Sequence, residues 1–331
     1  MAGLTVPVVI AGGGLAGLSL GIALRLRGVE VAIHEVGSYP RHRVCGEFVS
    51  GVTDATLYRL GIARHFRDAE RLHSARWFDS SGPVASLRVE AMGISRHILD
   101  DRLRQEFQAA GGSLHLNSRA DPSARVVWAA GRAKSRGDWI GLKCHARGIE
   151  LAGDLEMHLG RNGYAGLASI GGGEVNVCGL FKKRGATGGR DALVQCLRSG
   201  GLTKLAERVA AAAVDPDSIC ATAGFRFGRQ PAREFPIGDA ARMIPPFTGN
   251  GMTMAIESAA CALDPLFEYA AGKLSWREAA DASARTQRSL FRRRMGSALA
   301  IQAILASFPG LVCALARAGC LPARQLLRLV R

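Results

Sequence analysis

Val6-Pro7-Val8-Val9-Ile10-Ala11-Gly12-Gly13-Gly14-Leu15-Ala16-Gly17-Leu18 decides how this chain folds. Val6–Ala11 is an apolar, β-branched run, the pattern of a strand buried on both faces of a parallel sheet. Gly12, Gly14 and Gly17 then supply G-x-G-x-x-G. The first glycine permits a tight turn, the second lets backbone approach a pyrophosphate, and the third lets helix and strand pack closely. Leu18–Arg27 reads as that helix, closed by Gly28, and Val29–Ile33 as the next strand. Glu35 follows that strand, about 20 residues beyond the glycines, where a carboxylate accepts hydrogen bonds from ribose hydroxyls. The first 35 residues thus form a complete βαβ unit, with phosphates expected at a helix N-terminus, where free N–H groups and the dipole favour anions.

Working outward, helical segments are predicted near 52–60 and 62–70, and alternating strands over 73–95. Leu99–Ala110 reads as a helix, and Leu114–Leu116 and Val126–Ala129 as strands returning to the first sheet. From Trp139 to Leu180 the pattern is strand, turn, strand, with Gly171-Gly172-Gly173 as one of the turns. Residues 190–213 read as helical, 222–229 as a strand, and 250–271 as a helix after a loop rich in Pro and Gly. The fold class is α/β. A Rossmann-type domain (1–75, 96–133 and 221–290) carries an inserted, mostly antiparallel β-sheet domain (76–95 and 134–220) and C-terminal helices (291–331). Gly296–Ala316 is free of charge over a membrane-spanning length, but Pro309-Gly310 breaks it. Two short packed helices are expected there, with peripheral membrane contact as the alternative. Arg292, Arg293, Arg294, Arg317, Arg324, Arg328 and Arg331 flank the apolar faces.

A second glycine motif narrows the ligand. Gly238-Asp239-Ala240-Ala241 precedes Ile244-Pro245-Pro246-Phe247-Thr248-Gly249-Asn250-Gly251-Met252. With the first motif, these stretches resemble the FAD-dependent aromatic hydroxylases and geranylgeranyl-reductase-like flavoproteins. The resemblance implies that Asp239, after Gly238, holds the flavin ribityl chain. It places Gly249, Asn250, Gly251 and Met252 at a helix start facing the pyrimidine edge of the ring, with Pro246 beside the reacting centre. Reduced flavin carries negative charge at that edge, so a helix N-terminus suits it. Ser95-Arg96-His97-Ile98-Leu99-Asp100 resembles the family's Arg-x-x-Leu segment, which puts Arg96 at the phosphates or ribityl chain. Arg41-His42-Arg43-Val44-Cys45-Gly46-Glu47 resembles the Cys-Gly loop of the reductases. Arg41 or Arg43 would then pair with phosphate, and Cys45 would lie near the reacting atoms or serve as a small packing residue. Tyr164 falls where the reductases carry an aromatic substrate motif. Trp139, Leu142, Met157, Leu159, Leu167 and Ile170 suggest a lipophilic pocket, with Trp139 and Tyr164 as substrate contacts. His145 on the inserted sheet is an acid–base candidate.

The resemblance implies an enzyme: a monooxygenase that hydroxylates or epoxidises a lipophilic or phenolic, secondary-metabolite-like substrate through a flavin C4a-hydroperoxide. The alternatives are a flavin reductase acting on C=C bonds and a flavin-binding protein without turnover. NAD(P)H is the expected electron donor, although Ala130-Gly131 stands where many hydroxylases carry Asp-Gly. Only a short stretch separates Leu116 from Val126, so the family's β-meander is expected to be minimal.

The net charge of +15 fits either a generic basic surface or attraction to anions: cofactor phosphates, an acidic carrier protein or reductase, an anionic membrane. No helix-turn-helix, zinc-finger or aromatic–basic motif accompanies it, so nucleic acid is not an expected partner. Eight cysteines without a Cys-x-x-Cys pair, and no leader-like N-terminus, set the expectation of a reduced, cytoplasmic protein. The eight histidines show no metal-ligand spacing, and no metal is expected.

Overall fold

A computed structural model of the chain describes residues 6–122, 124–133, 135–182, 191–318 and 320. In chain order, β1 (Val8–Ala11), α1 (Leu15–Leu26) and β2 (Val31–Glu35) make the predicted βαβ unit, with the helix starting at Leu15 instead of Leu18. Next come β3 (Phe48–Ser50), α2 (Asp54–Arg59) and a long hairpin of β4 (Glu70–Asp79) and β5 (Gly82–Gly93). Helix α3 (Arg96–Ala109) leads to β6 (Ser113–Leu116) and β7 (Val126–Trp128), and no strand lies between them among the described residues. Four strands follow: β8 (Trp139–Arg147), β9 (Leu155–Gly160), β10 (Gly163–Ser169) and β11 (Glu174–Lys182). Then come α4 (Ala192–Ser199), α5 (Thr203–Ala211), and the short strands β12 (Ala213–Val214), β13 (Cys220–Ala223), β14 (Gly228–Arg229), β15 (Phe235–Pro236) and β16 (Arg242–Met243). Helices α6 (Gly251–Ala270), α7 (Trp276–Ser307) and α8 (Pro309–Arg317) complete the described chain.

The first sheet is parallel throughout, in the order β15-β7-β1-β2-β6. Helix α1 is enclosed by β1, β2, α3 and α6, so Leu18, Leu20, Ile22 and Leu24 are all fully buried. Gly21 makes that closeness feasible. A Cβ there would stand 2.9 Å from both Ile33 Cδ1 and Phe107 Cε2, so α3 packs its Phe107 where a side chain is missing.

The second sheet runs β12-β8-β11-β10-β9-β4-β5-β3, with β13 also on β8. Its pairs are antiparallel except β4 with β9. Period-two alternation divides β8 cleanly. Leu142, Cys144 and Ala146 face the apolar helices α4 and α5, joined by Val177 and Leu167. Leu142 and Leu167 therefore belong to that far core and not to a substrate pocket, a correction that the position of α4 and α5 supplies.

The tail also differs from expectation. Instead of two short helices there is one of 32 residues, begun by a Ser275–Glu278 capping box, followed after Phe308 by α8. Among the described residues no single helix is long and apolar enough to cross a membrane, and the two tail helices meet at 103°. Arg324, Arg328 and Arg331 lie outside the described residues.

Candidate cofactor and substrate cavity

A cavity of about 840 Å³ opens between the two sheets. Gly12, Gly14 and Glu35 line one end; Arg43, Cys45 and Arg96 line the middle with Gly238 and Asp239. Pro246, Gly249, Gly251 and Met252 line it from the start of α6, and Tyr164, Gly166 and Cys178 from the second sheet. Residues separated by more than 200 positions in sequence thus share one wall.

Each glycine has its own reason. Gly12 takes φ +106°, where a Cβ would sit 2.6 Å from the Ala130 Cα. A Cβ on Gly17 would collide with the Gly12 carbonyl oxygen, so this glycine is required by helix–strand packing and does not line the cavity. At Gly14 and Gly251 a Cβ would meet no protein atom within 4 Å. Those two are bare toward space that a ligand can fill. Gly249, at φ +69°, closes the turn before α6.

The carboxylates are held in different ways. Glu35 is 3% exposed and accepts hydrogen bonds from Gly13 N at 2.8 Å, Gly37 N at 2.9 Å and Arg41 Nη2 at 2.9 Å. Arg96 grips Asp100 through Nε at 2.6 Å and Nη2 at 2.7 Å, and Arg43 Nε reaches the same carboxylate at 3.1 Å. Asp100, to which the sequence reading gave no role, therefore fixes both arginines where they line the cavity. Asp239 is pushed up to about 6 by burial, against the opposing pull of Arg96 and Arg132.

Four predicted residues stand back from the wall. Asn250 is 1% exposed; its Nδ2 donates to Thr248 O at 3.1 Å and its Oδ1 accepts from Ser50 Oγ at 3.4 Å. Trp139 does not line the cavity; it packs at the margin of the apolar cluster of Phe225 and Tyr164, with Lys182 Nζ 5.8 Å from its ring centre. Gly17 is the third. His145 is the fourth: it lies on the expected sheet, but its Nε2 bonds Glu47 Oε2 at 2.5 Å behind the wall.

That contact belongs to a buried cluster that sequence spacing cannot show. Lys143 Nζ lies 3.2 Å from Glu47 Oε1 and 2.9 Å from His42 Nδ1, and the side chains of Lys143 and Glu47 are both fully inaccessible. Polar atoms of His42, Glu47 and His145 converge within 4.8 Å of one another, a grouping the absence of metal-ligand spacing did not anticipate. The Lys143 ammonium is the cation of this group. Cys178 on β11 and Cys220 on β13 are paired in register with Lys143, so the three side chains form one row on the cavity face of the sheet. Burial raises the Cys45 and Cys178 thiols and pushes Cys220 up to about 11, which keeps all three protonated at neutral pH.

A parallel sheet with a glycine-rich first turn, joined to a mixed sheet across one cavity, is the architecture of the FAD-dependent monooxygenases and geranylgeranyl-reductase-like flavoproteins, and this chain has their fold. It superposes on p-nitrophenol 4-monooxygenase PnpA from Pseudomonas putida DLL-E4 with a TM-score of 0.77 at 15% identity, covering 99% of this chain and 96% of that one. A geranylgeranyl bacteriochlorophyll reductase-like protein from Thermoplasma acidophilum gives 0.75 at 18% identity, covering 98% and 96%. The flavin-dependent brominase Bmp2 gives 0.74 at 17%, covering 98% and 92%. In sequence, the menaquinone reductase of Mycobacterium tuberculosis (strain CDC 1551 / Oshkosh) is 28% identical over 131 residues. That match spans 36% of this chain and about a third, 32%, of the relative's length. No family model matches the chain.

Proposed function

We propose that the chain binds FAD along the cavity and uses it, with NAD(P)H as donor, to insert oxygen into a lipophilic or phenolic substrate. The observation that carries this reading is the continuity of the cavity, from Gly14 and Glu35 past Asp239 to the apolar face of the second sheet. Bare glycines at Gly14 and Gly251 and the Asp239 carboxylate on the cavity wall suit an elongated ligand with phosphates at one end and hydroxyls in the middle. FAD supplies two-electron chemistry toward organic substrates and dioxygen. The protein's part is to bind and to shield: the α6 N-terminus favours negative charge at the ring edge, Arg43 and Arg96 are held ready by Asp100, and Met157 and Tyr164 keep the substrate end apolar.

A reductase acting on a C=C bond or a quinone is the second reading. It is favoured by three protonated thiols, Cys45, Cys178 and Cys220, on the cavity wall, and by the sequence match to a menaquinone reductase. One experiment separates the two. Purified protein reconstituted with FAD is mixed with NADH or NADPH, aerobically and anaerobically, with 4-nitrophenol and with a short-chain menaquinone as probes. Oxygen-dependent hydroxylation of the phenol supports the first reading. Quinone reduction that proceeds without oxygen replaces it with the second. A protein that stays colourless with FAD overturns both.

A further inference from the structure

Four ionisable side chains occupy the space behind the loop that carries Cys45: His42, Glu47, Lys143 and His145. As a stability device they are poor. Desolvating an ammonium and a carboxylate offsets much of what their attraction returns, and apolar replacements of similar size often do as well. Glu47 also adopts φ 57°, a left-handed conformation seldom taken by a residue with a side chain, at a point where its Oε1 additionally accepts from Arg96 N at 3.0 Å. The arrangement converges on His42, the only one of the four that lines the cavity.

We propose that His42 presents its Nε2–H to the cavity as the donor for a substrate oxyanion, with the Lys143 ammonium behind it as counter-charge and proton reserve. This rests on the reading of the cavity as a substrate site and narrows its ligand to an aromatic or quinonoid molecule whose oxygen bears or develops negative charge. The atom assignment follows from donor and acceptor roles. An ammonium has only protons to offer, so His42 Nδ1 is the acceptor at 2.9 Å, and the neutral ring carries its proton on Nε2. His42 is pushed down to about 4, first by burial and then by Lys143, His97 and His145, with Glu47 opposing. It is therefore neutral across the working range, and a neutral imidazole donates without first having to lose a charge. A weakly basic phenolate stays ionised on the Nε2–H; a more basic oxyanion takes that proton while Nδ1 receives one from Lys143, whose amine stays hydrogen-bonded to Glu47. The groups that face His42 are the Lys143 ammonium, His97 stacked 4.2 Å away, His145 edge-on at 4.9 Å and the Glu47 carboxylate.

The test is the ionisation state of bound 4-nitrophenol, read from its phenolate absorbance across pH in FAD-reconstituted protein. Wild type is expected to bind the phenolate in preference, lowering the apparent pKa of the bound probe. His42→Leu abolishes that shift and weakens phenolate binding at least tenfold, with flavin content unchanged. The charge-compensated pair Lys143→Met with Glu47→Gln reduces the shift while His42 remains, which a purely structural role would not do. Wild type that binds only the neutral phenol or none, or a His42→Leu profile that overlays wild type, overturns the proposal. Colourless protein that still ionises the probe would instead remove the flavin reading and leave this one standing.

Discussion

At the residue scale, Asp239, a partly buried carboxylate on the cavity wall, is the group whose pH dependence can be worked out. Its pKa stands above the ordinary 3.8, at about 6, because burial penalises the charged form. The sign follows: a carboxyl raised on folding binds its proton more tightly in the native state. Stability is unpenalised below about pH 4 and falls as pH rises toward 6. Above that, the ionised side chain costs the FAD-free protein at most about 3 kcal/mol, from two units at about 1.4 each. Asp239→Asn should therefore stabilise the apoprotein at pH 7 and flatten its denaturation midpoint between pH 4 and 6, while weakening FAD retention at least tenfold. Urea titrations with and without FAD measure both arms; a variant that keeps wild-type FAD affinity would show that the carboxylate does not face the cofactor. Asp239 and Glu35 were legible in sequence because each sits at a fixed offset from a glycine turn. Asp100, Glu47 and Lys143 were not, since an Asp one turn into a helix, or a Lys in an apolar strand, ordinarily reads as surface. Only the pairing of β8 with β11 and β13 places Lys143 in the interior row.

At the scale of the element, the first βαβ turn separates packing from binding within a few residues. Gly17 lies against the Gly12 carbonyl, whereas Gly14 faces open space. Gly17→Ala should lose a few kcal/mol of stability in the absence of any ligand, as overpacking does. Gly14→Val should fold and melt like wild type without FAD yet fail to take it up. Circular dichroism melts paired with flavin absorbance check both, and a yellow Gly14→Val protein would refute the cofactor assignment. Period and punctuation made this unit readable, and the same signals found the strands of the inserted sheet. They failed where two patterns compete. The tail's charge-free run suggested short helices, but the capping box at Ser275 and the helix-forming Arg-rich stretch beyond it carry one helix through to Ser307. Parity, too, was visible in sequence, but the face toward the cavity was not: Leu142 and Lys143 are neighbours, and only the position of α4 and α5 shows that the leucine goes to the far core.

At the scale of the whole molecule, charge and shape meet at the elbow of α7 and α8. The inner face of the elbow covers the apolar end of the cavity, where Ile301, Leu305 and Cys313 join the cluster of Tyr164 and Phe247. Its outer face leaves Ile304, Phe308 and Leu311 at 51%, 59% and 59% exposure, with Arg292 and Arg293 exposed one to two turns before Leu299. A chain of net charge +15 repels a second copy of itself but is drawn to an anionic surface. Exposed apolar side chains on a helix that also carries exposed arginines suit the interface of a bilayer, from which a lipophilic substrate would enter beside the elbow. The prediction is that FAD-reconstituted protein co-sediments with phosphatidylglycerol-containing vesicles but not with purely zwitterionic ones, and that raising salt from 50 to 500 mM releases most of it, because the Debye length shrinks with ionic strength. Phe308→Asp with Leu311→Asp should lower vesicle binding at least tenfold without changing flavin content, since neither side chain lines the cavity. If the double variant binds vesicles as wild type does, or if its only effect is to dissociate a dimer seen by sedimentation, the outer face serves another copy of the chain and the substrate's route does not pass through lipid.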